Sequence, residues 1–425
     1  MSNNLGKGTI GIHGGYSPKS GEPRVLPIYQ SATYKYDDPD TLEALFALKA
    51  EGHLYSRISN PTVGALEDKY TKLEGGVGAV ATASGQSAIL YAVLNLCKAG
   101  DHIISVTSLY GGTVNLFNVH LKNLGIEVSF VEPDASEEEI LSLAKENTKA
   151  IYGETIGNPG LNILDFDKFS SVAKKIQVPL IIDNTVATPY HCNPFEHGAN
   201  IVVHSTTKYS EGHAQTIGGI VVDGGNFDWT NGKFNDFTTP DPSYHGLKYV
   251  ESFGQAAYIV KLRVTLLRDL GACMSPFNAY LTNLGLETLH LRMERHSKNA
   301  LEIAQWLTTE EKVSWVNYPL LEGSKYYDLA KKYLKGGASG LLTFGIKGGI
   351  EEAKKFSTAL DLIALAVTLG DARSCLLHPA TTSHSQLNEE ELLASGVTPD
   401  LLRLSVGIED AKDLINDISE ALKAI

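Results

Sequence analysis

Cysteine is scarce in these 425 residues: Cys97, Cys192, Cys273 and Cys375 stand far apart, with no CxxC pair among them. That spacing argues against a disulfide framework or a structural zinc site and suits reduced thiols. Long apolar runs are also missing. No stretch approaches the roughly 18 uninterrupted apolar residues of a membrane span, so no membrane partner is expected. The opening MSNNLGKGTIGIHGG has no apolar core of a signal peptide, and a cytoplasmic location is expected. Basic charge is in deficit, 36 Lys and Arg against 49 Asp and Glu, for a formal net charge of −13. A nucleic-acid binder needs basic surface for its phosphate contacts, so none is expected as partner. His191, His197, His204 and His213 match no HExxH or comparable spacing. They read as loop or core histidines, and no metal is expected. Neither GxGxxG nor GxxxxGKS/T follows the first apolar run, which argues against a dinucleotide or nucleotide site. Fixed-period repeats, low-complexity tracts and long Pro/Ser linkers are absent too.

What is there is a composition of 43% hydrophobic and 20% charged residues, that of a globular protein with a large core. The length suggests two or three domains. Residues 1–60 read as an N-terminal arm, rich in Gly, Pro and Tyr up to about Lys35 and suited to packing on a neighbouring subunit. Within it, Asp40 as N-cap with Glu43 three residues on predicts a short helix with Leu42, Leu45 and Phe46 on one face. Asn60-Pro61 starts another, with proline at the first helical position and Val63, Leu66, Tyr70 and Leu73 in one stripe. From residue 61 to 285 the pattern becomes α/β. Apolar runs at 78–82, 102–106, 127–131, 150–154, 179–182, 201–204 and 219–222 predict seven buried strands. Helical segments such as 136–147 and 165–176 lie between them. Such alternation implies a mostly parallel sheet covered on both faces. A helix-rich stretch at 255–284 leads into residues 286–425, a smaller C-terminal α+β domain. Its strands are predicted near 313–316 and 340–346, and its final helix near 410–424.

In an open α/β sheet, ligands sit outside the carboxyl ends of the strands. Just beyond the predicted strands stand Ser84-Gly85-Gln86, Tyr110, Asn158, Asp183, then Ser205, Thr207 and Lys208. Ser84-Gly85-Gln86-Ser87 opens an apolar helix, where a glycine lets backbone N–H groups approach an anion; an ordinary strand-to-helix turn would read the same. Asp183 could hold a ring nitrogen protonated, or be a turn aspartate. Tyr110 could stack on a flat ring, or be structural. His204-Ser205-Thr206-Thr207-Lys208-Tyr209 is the sharpest local signal. Its hydroxyls can bind phosphate while a lysine of depressed pKa reaches an aldehyde. A solvated loop lysine is the alternative, against which the flanking apolar strand and Gly212, Gly218 and Gly219 argue. Together these residues supply what a phosphorylated pyridine aldehyde needs.

The segments YSRISNPT (55–62), ATASGQSA (81–88), LYGGT (109–113), ETIGNP (154–159), IIDNT (181–185), HSTTKY (204–209), LGDARSCLLHPATTSH (369–384) and RLSVGIED (403–410) extend this. In this order the chain resembles, over nearly its whole length, the Cys/Met-metabolism PLP-dependent enzymes of fold type I. That resemblance implies a PLP-dependent transferase fold, a mostly parallel seven-stranded sheet domain plus the smaller α+β domain, with pyridoxal 5′-phosphate as cofactor. It implies that Lys208 holds the cofactor as a Schiff base and shuttles protons, that Asp183 pairs with the pyridine nitrogen and that Tyr110 stacks on the ring. Gly85, Gln86, Ser205 and Thr207 would bind the phosphate. Tyr55 and Arg57 would reach the phosphate of the adjacent subunit, in a homotetramer whose active sites are shared across a dimer. Asn158 would contact the ring oxygen or the substrate carboxylate, which Arg403 would clamp, with Thr368 nearby.

Within the family, Gly112 stands where methionine γ-lyases carry cysteine. Arg373 stands where several lyases and the γ-synthase have glutamate, and Gln86 where they often have methionine. The stretch 224–289 and the tail 378–410 look like those of the O-acetylhomoserine sulfhydrylases. The implied activity is therefore γ-replacement: O-acetyl-L-homoserine with sulfide or methanethiol as small-molecule substrates. A cystathionine or methionine γ-lyase, or a cystathionine γ-synthase, is the alternative.

Overall fold

The computed structural model of the chain describes residues 5–383, 385, 392 and 396–425. The part of the 378–410 tail that falls at 384, 386–391 and 393–395 lies outside the described residues. The seven predicted strands form one sheet: β1 Gly78–Thr82, β2 His102–Val106, β3 Glu127–Val131, β4 Thr148–Glu154, β5 Leu180–Asp183, β6 Ile201–Ser205 and β7 Gly219–Asp223. Their order is β1-β7-β6-β5-β4-β2-β3. Strands β2 to β6 pair in parallel, and β7 runs antiparallel to both its neighbours. Parallel strands need a long crossover between them, and helices such as Gly85–Leu94 and Phe166–Lys175 supply it. With both faces covered, Ile103, Ile104, Ile151, Ile181, Ile182, Val202 and Val203 are all buried, which is why these strands read as continuous apolar runs.

A second sheet follows: β8 Val313–Asn317, β9 Leu341–Ile346, β10 Ala364–Leu365, β11 Cys375–Leu377 and β12 Leu401–Ser405. Its order is β10-β11-β12-β9-β8. Apart from the parallel pair β10 and β11, its strands are antiparallel. The fold is α/β, with a mostly parallel seven-stranded sheet and a smaller second sheet.

Several local expectations change. The helix of the arm is Pro39–Phe46 and its N-cap is Asp38, whose carboxylate accepts from the amides of Asp40 and Thr41. Proline at the first helical position outweighs the Asp40/Glu43 spacing. Leu45 is buried, but Phe46 is 61% exposed, so the expected apolar face is only partly covered. The arm also contains a helix, Lys7–His13, without a side-chain cap; Lys7 Nζ donates to Leu73 O, tying the arm's start to its own chain. The helix expected over 136–147 ends early, at Glu137–Ser142. Beyond it Thr148 Oγ1 accepts from the Lys145 amide at 2.8 Å and Asn147 O accepts from His102 N at 3.1 Å. These bonds commit the chain to entering β4. The helix from Asn60 is as expected: Pro61–Glu74, with Asn60 capping Thr62 N and Val63 N and Val63, Leu66, Tyr70 and Leu73 buried.

Candidate active site

A cavity of about 220 Å³ opens at the carboxyl edge of the large sheet. The ends of β4, β5 and β6 and the start of helix Gly85–Leu94 form one side, and Thr368, Leu369, Leu377 and Arg403 from the second sheet region form the other. Eleven of the residues singled out in the sequence line it: Ser84, Gly85, Gln86, Tyr110, Asn158, Asp183, Ser205, Thr207, Lys208, Thr368 and Arg403. Tyr55 and Arg57 do not line it. Arg57 lies over the Tyr55 ring at 5.2 Å and donates through Nη1 to Arg268 O.

The helix start is built as an anion cradle. Ser84 Oγ accepts from Ser87 N at 3.1 Å, while Ser87 Oγ accepts from Ser84 N at 3.0 Å. This capping box fixes the first turn, and by position the amides of Gly85 and Gln86 have no intrahelical acceptor. A Cβ on Gly85 would lie 2.6 Å from Ser205 Cβ, so only glycine lets the helix start approach the end of β6. Thr185 ties the neighbouring strand ends together: its Oγ1 accepts from Ser205 N at 2.8 Å and its amide donates to Asp183 Oδ1 at 2.9 Å. Thr207 Oγ1 accepts from Gly218 N at 3.1 Å.

Two carboxyl groups face this cavity side by side, because Glu154 of β4 is the register partner of Asp183 of β5. Burial raises both above the usual carboxylate range, and Asp183 raises Glu154 further. The Thr185 hydrogen bonds favour charge on Asp183, so Glu154 is the one that takes up a proton first. Glu154 Oε1 accepts from the Tyr110 amide at 2.7 Å, holding the half-exposed Tyr110 ring over the cavity. Glu154 and Thr185 were not singled out as site residues in the sequence. The signal for Glu154 is its register with Asp183, which a single chain of letters does not display.

Lys208 is half-buried, and no ion pair holds its ammonium among the described residues. Burial first, then the charge of Arg403, lowers its pKa from the ordinary lysine value. Arg403 itself is buried on β12; Nη1 donates to Asn158 Oδ1 at 3.1 Å and Nη2 to Thr368 O at 2.9 Å. Its Nε has no partner among the described residues. A buried guanidinium with no carboxylate counter-ion among the described residues and a spare N–H is costly unless an anion joins it. Thr368 takes part through its backbone carbonyl.

The residues present fit pyridoxal 5′-phosphate. A glycine-permitted helix start suits the phosphate, a carboxylate with no ion-pair partner among the described residues suits a protonated ring nitrogen, and a lysine of lowered pKa suits an aldehyde. The histidines serve other ends. His204 Nε2 donates to the buried Glu74 carboxylate at 2.6 Å. His191 donates to Lys335 O at 2.7 Å, His213 to Glu211 O at 2.8 Å, and His197 packs against the rings of Phe166 and Tyr333. Arg373 points away into a pair with Asp371 and a bond to His213 O at 3.0 Å.

Comparison with known proteins bears on this geometry. The model of the family described as Cys/Met metabolism PLP-dependent enzyme matches residues 8–423. A Leptospira meyeri protein named O-acetyl-L-homoserine sulfhydrylase is 49% identical, covering 100% of this chain and 98% of its own length. O-acetyl-L-homoserine sulfhydrylase 1 of Thermus thermophilus is 48% identical, covering 97% of this chain and 99% of its own. Among solved structures, a Campylobacter jejuni protein assigned as an O-acetylhomoserine (thiol)-lyase, holding a pyridoxyl-lysine monophosphate residue, superposes with a TM-score of 0.96. It is 39% identical and the match covers 99% of this chain and 100% of that one.

Proposed function

The chain belongs to the Cys/Met metabolism PLP-dependent enzymes, and from that premise we propose that it replaces the γ-acetoxy group of O-acetyl-L-homoserine with sulfide, giving L-homocysteine and acetate. Methanethiol in place of sulfide gives methionine. The observation that carries this reading is the meeting in one cavity of Lys208, Asp183, the helix start at Gly85 and Arg403, which has no carboxylate counter-ion among the described residues. The choice among family members is supported by the sulfhydrylase relatives, alike over their full length.

Pyridoxal 5′-phosphate, when bound, supplies an electron sink for charge developing at the substrate Cα. The chain's residues do the rest. Lys208 Nζ would hold the cofactor and, when free, would take the Cα proton of the substrate. Asp183 would supply a charged carboxylate to the ring nitrogen, and Tyr110 would offer its ring for stacking. Gly85, Gln86, Ser205 and Thr207 would bind the phosphate. Asn158 would contact the ring oxygen or the substrate carboxylate. Arg403 binds that carboxylate with its planar fork, with Thr368 and Asn158 fixing the fork from behind. Proton transfers at Cα and Cβ let acetate leave from Cγ, and sulfide adds at the same carbon with the reverse transfers.

Residues 61–285 thus hold the cofactor and 286–425 supply the carboxylate clamp, while the arm of residues 1–60 serves a neighbour. Tyr55 and Arg57, outside their own chain's cavity, would reach the phosphate of an adjacent subunit in a homotetramer with sites shared across a dimer. We also assign the enzyme to the cytoplasm, a reading supported by four unpaired thiols. The test is incubation of the protein and pyridoxal 5′-phosphate with O-acetyl-L-homoserine, with and without sulfide. Homocysteine and acetate formed only with sulfide are expected. Oxobutyrate and ammonia formed equally without sulfide would overturn the replacement reaction in favour of an eliminating lyase.

A further inference from the structure

The turn that carries Lys208 is held from outside its own sheet. Its backbone closes on itself through Glu211 N to Thr206 O at 3.1 Å and Gly212 N to Lys208 O at 2.9 Å. That leaves the carbonyls of Tyr209 and Ser210 at its end without a turn partner, and both residues are buried. Arg292 fills this role from helix Leu289–Leu307: Nη1 donates to Tyr209 O at 2.6 Å and Nη2 to Ser210 O at 3.4 Å. Nη2 also donates to Gly285 O at 2.6 Å. Gly212, at φ +78°, gives up its side-chain space to the same guanidinium: a Cβ there would lie 2.1 Å from Arg292 Nη1.

The same helix face grips the strand that bears the carboxylate clamp. His296 and Asn299 stand four and seven residues after Arg292, which puts all three on one side of the helix. His296 Nδ1 donates to Val406 O at 2.6 Å, and Asn299 Nδ2 donates to Gly407 O at 3.2 Å and Glu409 O at 2.8 Å. Val406 directly follows β12, three residues beyond Arg403. A further tie closes the loop between the two regions, from Ala372 N to Gly212 O at 2.9 Å.

We propose that the Arg292–His296–Asn299 face of helix Leu289–Leu307 sets the position of Lys208 relative to Arg403, so that Arg292 and Asn299 are positioning residues for substrate binding and for the lysine's proton transfers. One helix holds the main chain on either side of the cavity: the lysine turn by a guanidinium, the clamp strand by an imidazole and an amide. Burial lowers His296 to about 4, so its grip does not titrate in the working range. Arg292, lowered by burial to about 10, keeps its charge there. Because a substrate is gripped at its carboxylate by Arg403 while Lys208 must meet its Cα proton, an error of about 1 Å between the two would cost on the order of 100-fold in rate.

This rests on the roles proposed above for Lys208 and Arg403, so the experiment first establishes the lysine. Borohydride reduction of the cofactor-loaded enzyme, followed by peptide mapping, should find the label on Lys208; a label elsewhere would sink the site assignment itself. Arg292→Lys and Asn299→Ala are then compared with the parent in three readouts: the pH midpoint of the bound cofactor's absorbance, the Kd for the unreactive amino acid L-norleucine by spectral titration, and the split between KM and kcat. Arg292→Lys is expected to shift the pH midpoint and lower kcat by about 10- to 100-fold. Asn299→Ala, which leaves the lysine turn untouched, is expected to raise KM and the L-norleucine Kd together by about tenfold, with kcat held within about twofold. With the label on Lys208, parental values in all three readouts for both variants, even with lowered thermal midpoints, would mean that the helix face only stabilises the fold.

Discussion

Lys208 and Arg403 put two cations at one cavity, and neither is paired with a carboxylate among the described residues. The consequence falls on the lysine, which in the proposed reaction must be neutral to attack an aldehyde. Its pKa lies below the ordinary lysine value through burial and through Arg403. The sign follows: as pH falls through that lowered value the amine gains a proton, and capture of added cofactor by the cofactor-free protein slows. The rate of absorbance change on adding pyridoxal 5′-phosphate should therefore rise with pH and level off earlier than for an ordinary lysine. Arg403→Met removes one of the two causes and should move the rising limb to higher pH; a limb that stays put would show that burial alone sets it. At this scale the sequence was unevenly legible. Lys208 announces itself by hydroxyl neighbours and an apolar strand, and Asp183 by its place at a strand end. Glu154 matters because of a neighbour 29 positions away in the chain, so its partnership exists only once β4 and β5 are in register.

The helix start at Gly85 shows how an element would make the proposed phosphate site from backbone. The sequence shows Ser84-Gly85-Gln86-Ser87 opening an apolar helix, but the need for glycine after Ser84 comes from β6, whose Ser205 occupies the space a side chain would take. Gly85→Ala forces a methyl group to within 2.6 Å of Ser205 Cβ, and overpacking of this kind costs about 1–3 kcal/mol. Denaturant unfolding of the cofactor-free protein should show a loss of that size. Cofactor binding followed by fluorescence should weaken as well, since at the proposed phosphate site the shifted amides would no longer face the anion. Unchanged stability and affinity would show that Ser205 moves aside freely. Strong periodicity made the long elements legible, as with Pro61–Glu74 and its four buried stripe residues. The misses have physical causes. Lys7–His13 contains two glycines and no capping side chain, so its stability comes from docking on the body of the chain, which local propensity cannot register. The segment after Ser142 has helical letters but is claimed by bonds to β2 and β4.

At the scale of the whole molecule, charge and composition describe a globular protein with a large core, and they say nothing about what its arm is for. The arm exposes Val25, Ile28, Tyr29, Phe46 and Tyr55, of which Val25 is 67% and Phe46 61% open to solvent. Apolar side chains grouped along one segment in this way suit a protein partner, and Arg57 rests on Tyr55 beside them. If these two residues complete the phosphate site of an adjacent chain, a defect in Arg57 and a defect in Lys208 belong to different active sites. Lys208→Ala chains and Arg57→Ala chains should each be nearly inactive alone. After unfolding and refolding together, half of the dimers are mixed. Each mixed dimer then contains one site with an intact lysine from one chain and an intact arginine from the other. Activity should return to roughly a quarter of the parental level, as random pairing about a two-fold axis requires. A site contained within one chain gives no recovery at all, because both defects then remain in place however the chains pair. The same mixing with Arg403→Ala in place of Arg57→Ala is the control. Arg403 lines the cavity of its own Lys208, so that pair should stay inactive, which separates true sharing across the dimer from a general benefit of refolding with a second chain.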